Sequence, residues 1–451
     1  MPRETSQKPR LPQKHASEAC VSAPVASRVF ASLCALALVF TCVFAAPSTP
    51  YADIRADDRV ANRPLGETHP TVPDAPDLVA DYAALSTREG LVLWERDASA
   101  SVPMASTTKI MTALVALERL EPDTMILVTY GAANTEGSSA GLREGDTMSL
   151  KDLLICMMVP SGNDASVAVA ENVAGTEFAF VSLMNEKAAS LGMMGTHFSN
   201  ASGLRDEDNY TTPADYLLLT RAAMGNSLFR EIVGAPEVSV QINGQTETYH
   251  STNMLLHEME GANGVKTGFT DEAGYCLIAS ARKNGFELYA AVFHSSSEEQ
   301  RFIDAQKLLE WGFAHYRTVE LINATKPVAS AALLSWIDKT VPVVAASPVA
   351  ANLFDYAGNI QQEVTIIEKE GSVNKGEKLG SLVWLQNSEV IARIDLLATE
   401  TVPAPDFWEG IGIWFKRLWG GLWDEAPHAT STTTLPEVFD LEIADVNATL
   451  P

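Results

Sequence analysis

The chain has few cysteines, no histidines in metal-binding company and no surplus of positive charge, and each shortage removes a class of function. Of five cysteines, Cys20, Cys34 and Cys42 fall in the N-terminal segment, leaving Cys156 and Cys276 for the folded part. Both sit in apolar stretches (LLICMMV and GYCLIAS), where a thiol serves as a small core residue, so a buried and unpaired role is expected. The eight histidines take no metal-ligand spacing, and neither a metal nor another cofactor is expected. Lys and Arg number 32 against 57 Asp and Glu, a formal charge of −25, which argues against nucleic acid as a partner. Internal repeats are also lacking.

What is present begins with a targeting segment. Arg3, Lys8, Arg10, Lys14 and Arg28 precede an uncharged run from Val29 to Ala46. A basic flank, an apolar run and small residues are the parts of an export signal, and Val43-Phe44-Ala45 suits a signal peptidase. The run is also just long enough to span a bilayer, so an uncleaved anchor fits equally. Either way residues 1–46 place the rest of the chain outside the cytoplasm. Residues 47–76, rich in Pro, Thr, Asp and Ala, read as a flexible linker.

Strands are expected over Tyr82–Leu85 and Gly90–Glu95, then a mostly buried helix from Ile110, where apolar residues leave almost no polar face. Further helices are expected over Ser149–Val159, Asp164–Val173 and Ser297–Tyr316, and hairpins around Asn243-Gly244 and Lys283-Asn284-Gly285. Strands at both ends of a region with helices between them predict an α/β (α+β) sandwich over 77–318, built on one antiparallel sheet. Residues 319–402 read as a small β-rich domain. Residues 403–423 hold half of the tryptophans beside Lys416-Arg417, the composition of a helix lying on a membrane surface. Residues 424–451 read as an acidic, disordered tail.

Three short patterns carry chemistry: Ser106-Thr107-Thr108-Lys109, Ser161-Gly162-Asn163 and Lys266-Thr267-Gly268. A serine hydroxyl needs a base within reach, and Ser106 and Lys109, three apart at a helix start, share one face. Lys109 acts as a base only when neutral, and burial with a neighbouring cation such as Lys266 would lower its pKa. Ser161 suits a proton relay and Asn163 a substrate contact. Lys266 and Thr267 suit a carboxylate, with Gly268 allowing close approach. Singly each pattern is weak: Ser-x-x-Lys recurs at Ser280–Lys283 and Ser372–Lys375, and Ser-x-Asn at Ser251-Thr252-Asn253. Gly137-Ser138-Ser139-Ala140-Gly141 matches a nucleophile elbow in letters only and reads as a loop.

In this order and setting, the motifs resemble those of the penicillin-recognising serine enzymes, and within them the low-molecular-mass D-alanyl-D-alanine carboxypeptidases of bacterial cell walls. The resemblance extends to Asn200-Ala201-Ser202-Gly203-Leu204, Tyr210-Thr211-Thr212 and GVKTGFTDEAGYC from Gly264 to Cys276. It implies a penicillin-binding, transpeptidase-like domain followed by the β-rich domain. It also implies that Ser106 is acylated by a peptidoglycan stem ending in D-Ala-D-Ala, with Lys109 as base, Ser161 as relay, Asn163, Lys266, Thr267 and Gly268 as substrate-binding residues, and an oxyanion hole from the backbone N–H groups of Ser106 and Phe269. Penicillins would be inhibitors. A histidine is frequent where this chain has Phe269, a departure expected to touch substrate preference. An endopeptidase, a β-lactamase and a catalytically silent penicillin-binding scaffold stay open as alternatives; the sequence names no protein partner.

Overall fold

Asn-Gly pairs close two hairpins where the sequence places them, because the turn needs left-handed backbone at both central residues. Asn243 and Gly244 have φ of 51° and 77°, joining Glu237–Ile242 to Gln245–His250. Asn284 and Gly285 have φ of 54° and 87° and join the two longest strands of the main sheet. The computed structural model describes residues 58–60, 76–355, 357, 360–386, 388–420 and 428–434. The export signal or anchor, nearly all of the linker and the chain end beyond 434 lie outside the described residues.

The main sheet comprises β1 (Asp58–Val60), β2 (Tyr82–Thr87), β3 (Val92–Arg96), β4 (Ala262–Thr270), β5 (Gly274–Lys283) and β6 (Phe286–Ser295), in the order β1-β3-β2-β6-β5-β4. Every pairing is antiparallel, so the first and last strands of the region share one sheet. Alternation within β2, β5 and β6 divides the core. Ala84, Ile278, Ala291 and Phe293 pack towards one helical layer, while Leu85, Leu277, Ala290 and Val292 pack towards the other. The first layer holds α1 (Lys109–Arg119), α2 (Leu150–Met158), α3 (Asn163–Ala174) and α4 (Pro213–Met224). The second is α5 (Glu298–His315).

Helix starts follow cap chemistry. Ser149, Thr212 and Ser297 each accept from the backbone N–H three residues on, with Pro213 opening α4 and Glu298 and Glu299 in the first turn of α5. Asp304, fully buried in α5, accepts from Val79 N and Ala80 N at 2.9 Å and from the Ser295 hydroxyl at 2.8 Å, tying the entering chain to the sheet.

A separate core begins at Val319 and includes Val343, Leu382, Trp384 and Leu396. Its sheet is formed by β7 (Ala329–Ala332), β8 (Thr340–Ala345), β9 (Ile360–Ile366), β10 (Lys378–Gln386), β11 (Glu389–Ala398) and β12 (Thr432–Thr433), ordered β9-β10-β11-β8-β7-β12. Between β11 and β12 lies α6 (Phe407–Gly420), which buries none of its residues. Arg417 docks it by donating to Leu334 O at 2.6 Å and Trp336 O at 3.0 Å, and Ile413 packs against the β core.

One expectation is corrected here. Residues 428–434, read as part of a disordered tail, are ordered: Ala329 pairs with Thr433, Ser330 with Thr432, and Ala429 is buried. The acidic residues that made the segment look solvated flank it, while its own stretch is small and threonine-rich and suits an edge strand.

Candidate active site

Ser106 lies in a tight turn, Ala105–Thr108, that runs directly into α1. The flanking threonines fasten this turn and do not cap the helix. Thr107 Oγ1 donates to Met104 O at 2.6 Å and Thr108 Oγ1 to Ala105 O at 2.8 Å. Two glycines allow the turn to sit where it does. Gly203, with φ of 82°, approaches so closely that a Cβ there would stand 1.9 Å from Ala105 O. A Cβ at Gly268 would stand 3.2 Å from Ser106 N, Met104 O and Ala105 Cβ. The glycine of the third motif therefore lets β4 lie against the backbone of the nucleophile.

Lys109 is fully buried, and its Nζ has three oxygen neighbours: Ser106 Oγ at 2.8 Å, Asn163 Oδ1 at 2.7 Å and Ser202 O at 2.7 Å. Burial holds its pKa well below the ordinary lysine value; the Lys266 cation lowers it further, and Asp164 acts in the opposite sense. A neutral amine has two protons and one lone pair. The amide and backbone oxygens can only accept, so they take the two protons and the lone pair is left facing the Ser106 hydroxyl. That is the arrangement of a general base.

Asn163 thus has a different position from the substrate contact expected of it. Its oxygen is engaged by Lys109 and its Nδ2 donates to Glu136 O at 2.7 Å, so it orients the base. Ser161 is held at φ of 69° in the break between α2 and α3. Its hydroxyl makes no hydrogen bond to Lys109 or to any other described residue, and the expected relay contact is not formed in this structure.

On β4, Lys266 is buried with its Nζ 3.2 Å from Thr267 O. Its pKa is pushed down to about 7, first by burial and then by the cation of Arg301. Thr267 shares a 2.7 Å hydrogen bond with Thr252. Phe269 is 48 % exposed and stacks on its cross-strand neighbour Tyr275 with ring centroids 4.4 Å apart, forming an aromatic lip.

Sequence reasoning missed three contributors. Arg301, to which the sequence assigned no role, is 4 % exposed in its side chain against 73 % for its ion-pair partner Glu298. It lies over Tyr275 and Phe302 and donates to Gly268 O at 3.3 Å. Asp164, outside the three motifs, gathers with its carboxylate the N–H groups of Ala140, Gly141 and Leu142 and the Ser139 hydroxyl, fixing the Gly137–Gly141 segment as a pinned loop. Thr252 lay inside a pattern dismissed as a decoy. The other decoys stay apart from the site: Ser280 bonds Asn263 within the sheet, and Lys375 N bonds Thr401 in the β domain.

A cavity of about 340 Å³ opens beside Ala105, lined by Arg205, Asp206, Glu207, Asn209, Tyr210 and Glu272 among others. An Arg205–Glu272 ion pair at 3.0 Å crosses it. Among the described residues no cluster of His, Cys, Asp and Glu is placed to hold a metal. Cys156 and Cys276 are free and buried, and burial pushes both thiols up to about 12, so neither is a nucleophile near neutral pH.

The model of the D-alanyl-D-alanine carboxypeptidase family matches residues 69–297. The chain is 31 % identical to D-alanyl-D-alanine carboxypeptidase DacF of Bacillus subtilis, over 73 % of this chain and 87 % of that protein. It is 28 % identical to DacC of Escherichia coli, covering 77 % of this chain and 89 % of that one. Among solved structures, the Streptomyces K15 DD-transpeptidase is 32 % identical with a TM-score of 0.51, over 53 % of this chain and 98 % of that chain. The D-alanyl-D-alanine carboxypeptidase DacD from Francisella tularensis is 27 % identical with a TM-score of 0.54, over 75 % of this chain and 98 % of that chain.

Proposed function

The chain belongs to the D-alanyl-D-alanine carboxypeptidase family, and from that premise we propose how its residues divide the reaction. It is a serine peptidase of cell-wall biogenesis that acts on peptidoglycan stem peptides and binds β-lactams. Lys109 takes the Ser106 proton as Oγ attacks the carbonyl carbon of the penultimate D-Ala. The developing oxyanion is met by the backbone N–H groups of Ser106 and Phe269, the latter following the glycine that lies against Ser106 N. Collapse expels the terminal D-Ala as its amine takes up a proton, and Ser161, with an unengaged hydroxyl, is available to deliver it. Water then hydrolyses the ester, with Lys109 again as base.

Protonated Lys266 and the Thr267 hydroxyl receive the terminal carboxylate. With the carboxylate at Lys266–Thr267 and the scissile carbonyl at Phe269, the stem runs on along β4 towards Thr270 and Glu272. The cavity beside Ala105 lies on that path. Three carboxylates against one guanidinium on its wall suit a stem side chain ending in an ammonium group.

The observation that carries this reading is the triple contact of Lys109 with Ser106, Asn163 and Ser202. Intact mass spectrometry with benzylpenicillin tests it. A lasting adduct on the Ser106 peptide, lost in Ser106→Ala, supports the assignment. An adduct cleared within seconds points to a β-lactamase, and none from folded protein removes Ser106 from its role.

For placement in the cell, α6 presents Trp408, Trp414, Phe415 and Trp419 to solvent on a helix that also carries Lys416 and Arg417. This favours lodging in the headgroup region of a membrane, with the enzyme at the outer face of the cytoplasmic membrane.

A further inference from the structure

Ser251-Thr252-Asn253 recurs as a Ser-x-Asn pattern away from the three motifs, yet the fold suspends it between two of them. Ser251 N donates to Pro236 O at 2.8 Å, and Thr252 N donates at 3.3 Å to Val159 O, two residues before Ser161. The Ser251 hydroxyl accepts from Asn253 N and the Asn253 carboxamide oxygen from Leu255 N, both at 3.2 Å. Asn253 is buried, so the tripeptide is anchored from below while Thr252 stays exposed. From that position Thr252 Oγ1 lies 2.7 Å from Thr267 Oγ1.

We propose that Thr252 is a positioning residue that fixes the direction of the Thr267 hydroxyl and so makes it a donor to the substrate carboxylate. The inference rests on the carboxypeptidase reading and deepens its account of carboxylate recognition.

The argument is a count of protons. Each hydroxyl has one proton and two lone pairs, and only one of the two protons lies between the oxygens. A carboxylate only accepts. If Thr267 donated to Thr252, its lone pairs would face the incoming anion. If Thr252 donates to Thr267, the Thr267 proton is free to point at the carboxylate, and the two hydrogen bonds in series polarise each other. An anion at Lys266–Thr267 therefore selects the second polarity. Without Thr252 the Thr267 hydroxyl turns among its rotamers and its donation is no longer set in advance.

The test is acylation kinetics on two peptides that differ only at the end, one finishing in D-Ala-D-Ala carboxylate and one in the corresponding carboxamide. Thr252→Val keeps the branched shape and removes the hydroxyl. Loss of one hydrogen bond to a charged group predicts a fall of roughly tenfold in kcat/KM on the carboxylate peptide, mainly through KM. On the carboxamide peptide the variant is expected to match the parent within about twofold, since a carboxamide both donates and accepts and so meets the Thr267 hydroxyl in either polarity. Thr252→Ser restores the parent rate, and Thr267→Val with and without Thr252→Val gives the same residual rate. Thr252→Ala serves as a second hydroxyl deletion, with the thermal midpoint checking its fold.

Equal losses on both peptides, no loss, or no rescue by serine overturns the proposal. A parent enzyme inactive on the carboxylate peptide overturns the carboxypeptidase reading, whereas an active parent with an unaffected Thr252→Val overturns the inference alone.

Discussion

Asn163 and Lys109 are joined by a 2.7 Å hydrogen bond from the lysine Nζ to the amide oxygen, and this bond helps decide which way the lysine lone pair faces. Asn163→Ala removes the acceptor and leaves Nζ free to turn from Ser106. Penicillin acylation is expected to fall about 100-fold, within the range for misplacing a general base. Asn163→Asp keeps the shape but adds a carboxylate, which favours the charged lysine. The acid limb of the pH–acylation profile then moves to higher pH, and a profile that stays in place would count against Lys109 as the base.

Two lysines with opposite needs predict a bell-shaped profile. Lys109 acts when neutral and supplies the acid limb; Lys266 receives a carboxylate when protonated and, with its pKa pushed down to about 7, supplies the alkaline limb. Lys266→Arg keeps its charge at all working pH values. The alkaline limb should disappear in this variant, as read from kcat/KM between pH 6 and about 10.

The same lysine couples stability to pH. Its folded pKa lies below the unfolded value, so between about 7 and about 10.4 the unfolded chain holds the extra proton and stability rises with pH. The contribution reaches up to roughly 5 kcal/mol across that window. Lys266→Met removes it, and denaturant midpoints of the variant should rise less from pH 7 to pH 10 than those of the parent.

Gly203 and Gly145 separate steric from purely conformational cost. Both have positive φ, at 82° and 86°, but a Cβ at Gly145 meets nothing within 4 Å while one at Gly203 meets Ala105 O at 1.9 Å. Gly145→Ala should cost about 1 kcal/mol. Gly203→Ala should cost more than about 3 kcal/mol or abolish penicillin labelling, as the turn bearing Ser106 is forced aside.

Asp164→Ala strands the backbone donors of Ala140 and Leu142, each worth about 1 kcal/mol or more when unsatisfied, while Gly141 N keeps the Ser139 hydroxyl. A fall of roughly 2 kcal/mol in stability and new proteolytic cleavage between Gly137 and Leu142 are the expected results.

Replacing Trp414 and Trp419 by Ser should weaken sedimentation with anionic phospholipid vesicles while leaving penicillin acylation unchanged. Equal vesicle binding would remove the membrane role of α6.

Local physics made much of this molecule legible. Hairpins at Asn243-Gly244 and Asn284-Gly285, the buried face of α1 and the sharing of one sheet by β2 and β6 follow from turn chemistry and periodicity. The lowering of the Lys109 pKa was also legible, because a lysine that serves as base needs burial and a neighbouring cation, and Lys266 is that neighbour. Contacts between distant segments escaped. Arg301 wears the spacing of a surface pair, Thr252 the look of a turn, and Asn163 is diverted from substrate by a loop partner, Glu136, that no pattern announces. Residues 428–434 were misread because edge pairing depends on a neighbour about 100 positions away, a separation that no local pattern carries.

That returning segment also limits how the β domain can associate. β12, with Ser431 Oγ accepting from Ala332 N and Thr434 N donating to Val328 O, seals the outer side of β7. Among the described strands of this sheet, the two edges are the seven-residue β9 and the two-residue β12. A very short edge strand offers few free backbone groups to an incoming chain, whereas a longer edge offers a ladder. Strand addition to this sheet is therefore expected at β9, with the side of β7 blunted by the short returning segment.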